Sequence, residues 1–233
     1  MLVKDLTGNE QDFFKKKYAD GYGIHHPEGH IIRIYHQILK YEFGLTSGKV
    51  FDFGMGTGVH LSWLVSQGDW EPYGCDISAE GVQQTQLLMP QYKDHFIQTS
   101  PNPELESLFE VQFDFILTNQ VLYYMEDEVI ENVVGQLHNM LKPGGLFLAS
   151  MMTTKNWYYS LSEEIEGSTL RRVDIPGRLN EETFINFRTQ EELSDTFKLF
   201  ERLHIGYYDS AIREDEGPGH HGFFLGRKSN TSD

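Results

Sequence analysis

The sequence predicts an α/β protein, on the strength of three observations. Short apolar strands alternate with amphipathic helices, a glycine-rich turn joins the first strand to a helix, and an acid follows at the end of the second strand. Together they indicate a Rossmann-like, seven-stranded, mostly parallel sheet with helices on both faces and the last strand antiparallel. The 233 residues are enough for one domain of this kind.

The glycine-rich turn is the most informative segment. The apolar strand predicted at residues 49–53 contains Asp52, and a helical pattern begins at Val59. Three glycines spaced one residue apart lie between them: Gly54, Gly56 and Gly58. Glycine permits backbone angles that side chains obstruct and lets a ligand lie directly on the chain, so the turn is predicted to bind a ligand. Val59 stands where the dinucleotide-binding pattern needs glycine, and no phosphate-binding P-loop pattern is present.

The other elements follow the same alternation. Helices are predicted from Ile31 to before Gly44, and at 59–67, 79–89, 129–140, 160–166 and 189–196. The remaining strands are predicted at 71–77, 95–100, 113–118, 146–152, 197–209 and 223–228. Ser78 is expected to cap the helix that follows it, and Thr189 with Glu192 has the spacing of a capping box.

Charge and composition exclude several classes of partner. The formal net charge is −16, and residues 50–150 carry only Lys93 and Lys142 against fourteen acids, which argues against nucleic acid. No apolar run approaches the roughly 18 to 20 residues of a membrane span, so no membrane partner is expected. Residues 1–17 show no signal peptide, and Cys75 is the only cysteine, so a cytoplasmic location is expected.

The pattern acid-x-Gly-x-Gly-x-Gly from Asp52 to Gly58 resembles the first motif of class I S-adenosylmethionine (SAM) dependent methyltransferases. The resemblance continues to about Met152. Residues 119–124 (Asn-Gln-Val-Leu-Tyr-Tyr) and 141–145 (Leu-Lys-Pro-Gly-Gly) are similar to the subgroup that acts on small molecules. The resemblance implies that SAM is the cofactor and that its methyl group is transferred by direct displacement to an oxygen or nitrogen atom of a small metabolite. The protein is expected to be a monomer or a homodimer.

Three alternatives remain open: a methyltransferase for protein side chains, a SAM-binding module without transfer activity, and a nicotinamide-dependent dehydrogenase, which Val59 disfavours. By the same resemblance, residues 1–48 form an N-terminal helical lid before a methyltransferase domain at 49–233. In that domain, residues 153–186 form an insertion that covers the substrate.

Asp76 is the leading candidate for binding the ribose, because its two carboxylate oxygens can accept hydrogen bonds from two adjacent hydroxyls. The resemblance assigns the methionine part to Asp52 and the glycines, the adenine face to Ile77, and the region beside the amino group to Asn119. Ser100 stands where many family members have an acid for the adenine amino group. The full set of candidate cofactor-binding residues is Tyr22, Asp52, Gly54, Gly56, Gly58, His60, Asp76, Ile77, Ser100, Asn119 and Gln120.

A general base is needed only if the acceptor atom loses a proton, and histidine suits that task near neutral pH. The candidate catalytic residues are His25, His26, His220 and His221. A metal site is not expected at either His-His pair, because adjacent residues on a strand point to opposite faces.

Overall fold

The computed structural model describes residues 26–175, 181–214 and 217–230. Its strands are β1 Ser47–Phe53, β2 Asp69–Asp76, β3 Phe96–Gln98, β4 Phe113–Thr118, β5 Leu141–Met152, β6 Ser162–Glu164, β7 Arg171–Ile175, β8 Glu181–Ile185, β9 Glu201–Asp209 and β10 His220–Arg227. Its α-helices are α1 Gly29–Ile34, α2 Val59–Gln67, α3 Ala79–Leu88, α4 Asp127–Met140, α5 Trp157–Ser160 and α6 Glu192–Thr196. Within those ranges, no helix is both long and apolar enough to cross a membrane.

The main sheet has seven strands in the order β3-β2-β1-β4-β5-β10-β9. Strands β1 to β5 pair in parallel, and β10 is antiparallel to both of its neighbours. The predicted seven-stranded, mostly parallel sheet with an antiparallel last strand is therefore confirmed. The chain reverses its direction of progress through the sheet between β1 and β4, which is where ligands bind in open sheets of this kind.

Helices cover both faces of the sheet because successive strand residues point to opposite sides. In β1, Val50 belongs to an apolar cluster that includes Leu61 of α2, whereas Phe51 belongs to a second cluster with Val133 and Leu137 of α4. Both strand residues are fully buried. The two clusters hold the sheet between the helical layers. The candidate site residues lie at the carboxyl ends of the strands.

The helix predicted from Ile31 to before Gly44 is present as α1 followed by a π-helical turn at Tyr35–Lys40. Ile31, Ile34, Tyr35 and Leu39 are buried in the same cluster as α2. The described part of the N-terminal segment, from residue 26, is thereby packed beside α2.

The predicted acidic helix at 160–166 is wrong. The described part of the insertion contains the short helix α5 and the antiparallel strands β6, β7 and β8. In the β6–β7 pair, Glu164 lies opposite Arg171 with 2.9 Å between Oε1 and Nη1, and the Arg171 Nε donates to Ser162 Oγ at 2.7 Å. Glu164 can pair with Arg171 in this way only when residues 162–164 are extended beside β7, and such cross-strand pairs of opposite charge favour the strand β6.

Several predicted boundaries also need correction. Strand β5 begins at Leu141 rather than 146, and its pairing with β4 shifts register so that Gly144, at φ +78°, lies in the irregular part. Helix α6 begins at Glu192 rather than 189, yet the capping box forms: Thr189 N donates to Glu192 Oε2 at 2.7 Å, and Glu192 N donates to Thr189 Oγ1 at 3.3 Å. Strand β9 begins at Glu201, four residues after the predicted start, and β10 begins at His220, three residues before it.

Candidate active site

The glycine turn lies at the carboxyl end of β1, between β2 and β4. Gly54, Gly56 and Gly58 all have left-handed φ angles, of +78°, +54° and +74°. A Cβ atom at Gly54 would overlap the side chain of Val121, and one at Gly58 would lie 2.5 Å from Thr85 Cγ2. The turn therefore requires glycine both for its backbone angles and for its packing. Thr85 Oγ1 donates to the Gly56 carbonyl at 3.1 Å and holds the turn against α3.

Asp76 ends β2 and is fixed by backbone N–H groups. Gly56 N donates to Oδ2 and Ser78 N to Oδ1, both at 2.8 Å. Burial raises the pKa of Asp76 above its ordinary value, and the backbone hydrogen bonds oppose that rise. Ser78 caps α3 as predicted, accepting from Gly81 N at 3.1 Å. The glycine turn and the ribose candidate thus form one hydrogen-bonded unit.

Asp52 is the most unusual group at the site. It is 1% exposed, and its Oδ2 has no hydrogen-bond partner among the described residues. Burial, with a further contribution from the nearby charge of Asp76, raises the pKa of Asp52 to about 8. A buried carboxyl oxygen without a partner is costly, which makes Asp52 a candidate for contact with a bound ligand.

Asn119 and Gln120 follow β4 and form the other side of the site. Gln120 has φ +60° and is the one non-glycine residue with positive φ in the described chain. Ser150 on β5 joins the pair, since its Oγ accepts from Gln120 N at 2.8 Å and donates to Asn119 Oδ1 at 2.9 Å. Strained backbone of this kind is held by surrounding contacts and is common at functional sites.

Glu28 reaches this pair from the N-terminal segment. Its Oε2 accepts from Asn119 Nδ2 at 2.5 Å, and its Oε1 accepts from Gln120 Nε2 at 2.8 Å. His30, two residues later, places Nε2 3.0 Å from Asn119 Oδ1. The sequence analysis did not select Glu28 or His30, and their contacts span 89 to 92 residues, which no local pattern reports.

His60 lies in the first turn of α2 and faces Glu28. It is 7% exposed, and its Nε2 lies 3.8 Å from Glu28 Oε2 and has no hydrogen-bond partner within the described ranges. Burial, with a smaller effect from His30, lowers the pKa of His60 to about 4. His60 is therefore neutral near pH 7, and its approach to Glu28 is not an ion pair.

Tyr208 on β9 forms an aromatic wall next to Gln120. Its hydroxyl accepts from Gln120 Nε2 at 3.1 Å. Its ring stacks with that of His30, with centroids 3.6 Å apart, and with that of His221, with centroids 5.0 Å apart. The Tyr123 ring is 5.9 Å from His221. Tyr208 was also missed by the sequence analysis.

The two adjacent histidines of β10 point to opposite faces, as their strand position requires. His221 is buried, its Nδ1 lies 2.9 Å from the Gly219 carbonyl oxygen, and its Nε2 has no partner in the described part of the chain. Burial lowers its pKa to about 4. His220 instead places Nδ1 2.7 Å from Thr153 Oγ1 and stacks on Tyr207. Only His221 joins the wall formed by Tyr208.

The remaining candidates lie less centrally. Ile77 is partly buried directly after Asp76, and its carbonyl accepts from Gln98 Nε2 at 3.1 Å. Ser100 is exposed, and its hydroxyl donates to the Asn102 carbonyl at 2.9 Å. His26 is exposed at the start of the described chain. Tyr22 and His25 lie outside the described residues, and the roles assigned to all these side chains stay predictions. Over the described ranges, no group of three His, Cys, Asp or Glu side chains is placed to hold a metal ion.

Comparison with known proteins identifies the family. The family model described as a methyltransferase domain matches residues 24–200 of the 233. The chain therefore belongs to the methyltransferase domain family, and its fold is that of the class I SAM-dependent methyltransferases. The family predicted from the glycine turn is confirmed.

Individual relatives are distant. An uncharacterized methyltransferase from Synechocystis sp. is 26% identical over 129 residues, which cover 54% of this chain and 58% of that protein. The match thus spans less than two thirds of the length of this curated relative.

Among solved structures, 1,6-didemethyltoxoflavin-N1-methyltransferase from Burkholderia thailandensis, with bound 1,6-didemethyltoxoflavin and S-adenosylhomocysteine, has a TM-score of 0.66 and 19% identity, over 98% of this chain and 91% of that one. Magnesium protoporphyrin IX methyltransferase from Synechocystis, with bound S-adenosylhomocysteine, has a TM-score of 0.62 and 16% identity, over 96% of this chain and 99% of that one. At such identities the likeness establishes a shared fold.

Proposed function

We propose that this chain transfers a methyl group from SAM to an oxygen or nitrogen atom of a small molecule by direct displacement. The observation that carries the proposal is the buried, unpaired Asp52 carboxyl group beside a glycine turn that also fixes Asp76. The two solved relatives named above support it, because both were obtained with S-adenosylhomocysteine, the demethylated form of SAM.

The residues at the carboxyl ends of β1 and β2 fit the cofactor. Asp52 and the glycine turn would hold its methionine part, where the ammonium group supplies the donor that Oδ2 lacks. Asp76 would accept from the ribose hydroxyls with the lone pairs that Gly56 and Ser78 leave free. Ile77 would lie against the adenine.

The acceptor side is the wall formed by Tyr208, His221 and Tyr123. The cofactor supplies an electrophilic methyl group, so these residues mainly have to hold the acceptor atom in line with it. His221 Nδ1 faces a carbonyl oxygen and must therefore carry the ring proton, which leaves Nε2 as a hydrogen-bond acceptor. Since the pKa of His221 is lowered to about 4, this nitrogen is unprotonated near pH 7 and can accept a hydrogen bond from an N–H or O–H group of the acceptor.

The N-terminal segment and the insertion would close the site from two sides. The segment at 1–48 contacts the β4 end through Glu28, and the insertion at 153–186 contacts Tyr123, whose carbonyl accepts from Asn186 N at 2.7 Å. These contacts support their proposed roles as a lid and a substrate cover.

Cofactor binding tests the proposal directly. Isothermal calorimetry of the protein with SAM, S-adenosylhomocysteine and NAD should show uptake of the first two only. Asp76→Ala should weaken SAM binding by about 10-fold to 100-fold, the effect of about 1 to 3 kcal/mol for lost hydrogen bonds to a buried ligand. Asp69→Ala, at the exposed start of the same strand, is the matched control and should change little. Absence of SAM uptake, or undiminished uptake by Asp76→Ala, would refute the proposal.

Transfer of labelled methyl from SAM identifies the class of acceptor. Incubation with a low-molecular-weight metabolite extract is expected to give a labelled small product, whereas a protein extract should remain unlabelled. Label on protein would favour the side-chain alternative. SAM uptake with no labelled product in either extract would favour a binding module without transfer activity.

A further inference from the structure

Glu28 places a carboxylate inside the proposed site. Its side chain is 20% exposed. Its two oxygens accept from the amides of Asn119 and Gln120 at 2.5 and 2.8 Å. Among the described residues, the basic side chains within 4 Å of it are His30, at 3.9 Å, and His60, at 3.8 Å.

Neither histidine supplies a balancing charge at neutral pH. Burial lowers the pKa of His30 below its ordinary value and that of His60 to about 4. The Nε2 atom of His60 is buried, has no hydrogen-bond partner among the residues that the structure describes, and faces the same carboxylate. A cationic group of a ligand would therefore balance the negative charge of the Glu28 carboxylate.

The position of Glu28 indicates which part of the ligand it faces. Strand order β2-β1-β4 puts Asp76, the glycine turn and Asn119 on three neighbouring strands, roughly 4.8 Å apart each. Gln120 donates to both Glu28 and Tyr208, and His60, at the start of α2 after the glycine turn, lies 3.8 Å from Glu28, so the carboxylate has neighbours on both the aromatic wall and the cofactor side. That boundary is where a methyl group must be presented to its acceptor.

We propose that Glu28 recognises the positive charge of the SAM sulfonium and so discriminates SAM from S-adenosylhomocysteine, in which the sulfur is neutral. The inference rests on the proposed function. Both compounds carry the same adenosine, ammonium and carboxylate groups and differ in the methyl group and the positive charge on sulfur, and a carboxylate interacts with the charge. The attraction is greatest before transfer, so it tightens SAM binding and speeds exchange of the product without lowering the barrier.

Calorimetric titration of SAM and S-adenosylhomocysteine into the parent chain, Glu28→Gln and Glu28→Ala tests this proposal. Both variants should bind SAM about tenfold more weakly, the scale of one charge pair in a partly buried site, and should bind S-adenosylhomocysteine within about twofold of the parent. Glu28→Asp, which keeps the charge, should retain part of the preference. Glu42→Gln is the control, because Glu42 is an exposed acid further along the same segment that pairs with His204; it should leave both affinities unchanged.

Retained binding of S-adenosylhomocysteine also shows that the variants are folded at the site. Equal weakening of both compounds, or unchanged binding of SAM, would overturn the role assigned to Glu28 while leaving the proposed function in place. Uptake of neither compound by the parent chain would overturn the proposed function itself, and this inference with it.

Discussion

Glycine is required at some positions of this chain and not at others, as Gly54 and Gly135 show. Gly54 has φ +78°, and its missing Cβ atom leaves the space that Val121 occupies. Gly135 lies inside α4, and a Cβ atom there would meet nothing within 4 Å. The first is required by the site, whereas the second only makes its helix less stable.

Replacing each of these glycines by alanine should therefore give opposite results. Gly54→Ala is expected to lower the free energy of unfolding by at least about 1 to 2 kcal/mol, the cost of a left-handed non-glycine residue, and to weaken SAM binding. Gly135→Ala should raise the free energy of unfolding by about 0.5 to 1 kcal/mol, because alanine is more stable than glycine in a helix interior. Urea unfolding of the two variants beside the parent measures both. A stable Gly54→Ala variant would mean that the turn can relax around a side chain.

Some site residues could be predicted from the sequence and others could not. Asp76 could be selected because a carboxylate that ends the second strand has one position in such a fold, and the structure places it against the glycine turn. Glu28 and Tyr208 could not, because each reaches the site from a segment about 90 residues from its partner in the chain. Their roles depend on packing that brings the N-terminal segment and β9 to the end of β4.

Among the elements, residues 153–186 are joined to the main sheet domain by hydrogen bonds that include those of Asn186. This residue is buried, its backbone N–H donates to the Tyr123 carbonyl, and its side-chain amide donates to the Met125 carbonyl at 3.0 Å and to Asp127 Oδ1 at 2.7 Å. Its Oδ1 accepts from Arg188. This one residue thus joins the end of β8 to the segment between β4 and α4, which contains Tyr123.

Asn186→Ala should loosen this connection. Removing the amide leaves the Met125 carbonyl without its side-chain donor and takes one of several hydrogen bonds from Arg188, which is expected to cost about 1 to 3 kcal/mol of stability. Faster amide hydrogen exchange in β7 and β8 than in β1 and β4 would show that the insertion opens first. Asn139→Ala, which removes an exposed amide contact with Glu106, is the control and should not change this exchange. Uniform acceleration across the sheet would argue against a local anchor.

Elements with a strong periodic pattern could be predicted, and those decided by pairing could not. Helix α2 and strand β4 have the predicted bounds because apolar periodicity and a glycine stop define them locally. The Thr189 and Glu192 side chains form their capping box because its four-residue geometry is local as well. Residues 160–166, which contain strand β6, were predicted as a helix because the pairing of Glu164 with Arg171 forms only when β7 lies beside β6, and no local pattern indicates it.

At the scale of the whole molecule, buried ionisable groups at one site set opposing pH dependences. The pKa values of His60 and His221 are lowered to about 4, so their contribution to stability is present above about pH 6.5 and is lost as pH falls through 4. The pKa of Asp52 is raised to about 8, so its contribution is present below about pH 4 and is lost as pH rises through 8. Asp76, whose pKa burial also raises, acts in the same direction as Asp52.

Between about pH 6.5 and 8 the raised pKa of Asp52 makes its ionisation oppose folding, so the ligand-free protein should lose stability as pH rises to about 8. Asp52 alone contributes a loss of about 2 kcal/mol over that interval, at about 1.4 kcal/mol per pH unit. Asp52→Asn should remove most of this slope and bind SAM more weakly, because it keeps the shape but not the charge that the cofactor's ammonium would meet. Urea unfolding across the interval measures the slope, and exposed Asp94→Asn should leave it unchanged. If Asp52→Asn kept the parent's slope, Asp52 would be ionised in the folded chain and a partner beyond the described contacts would hold it.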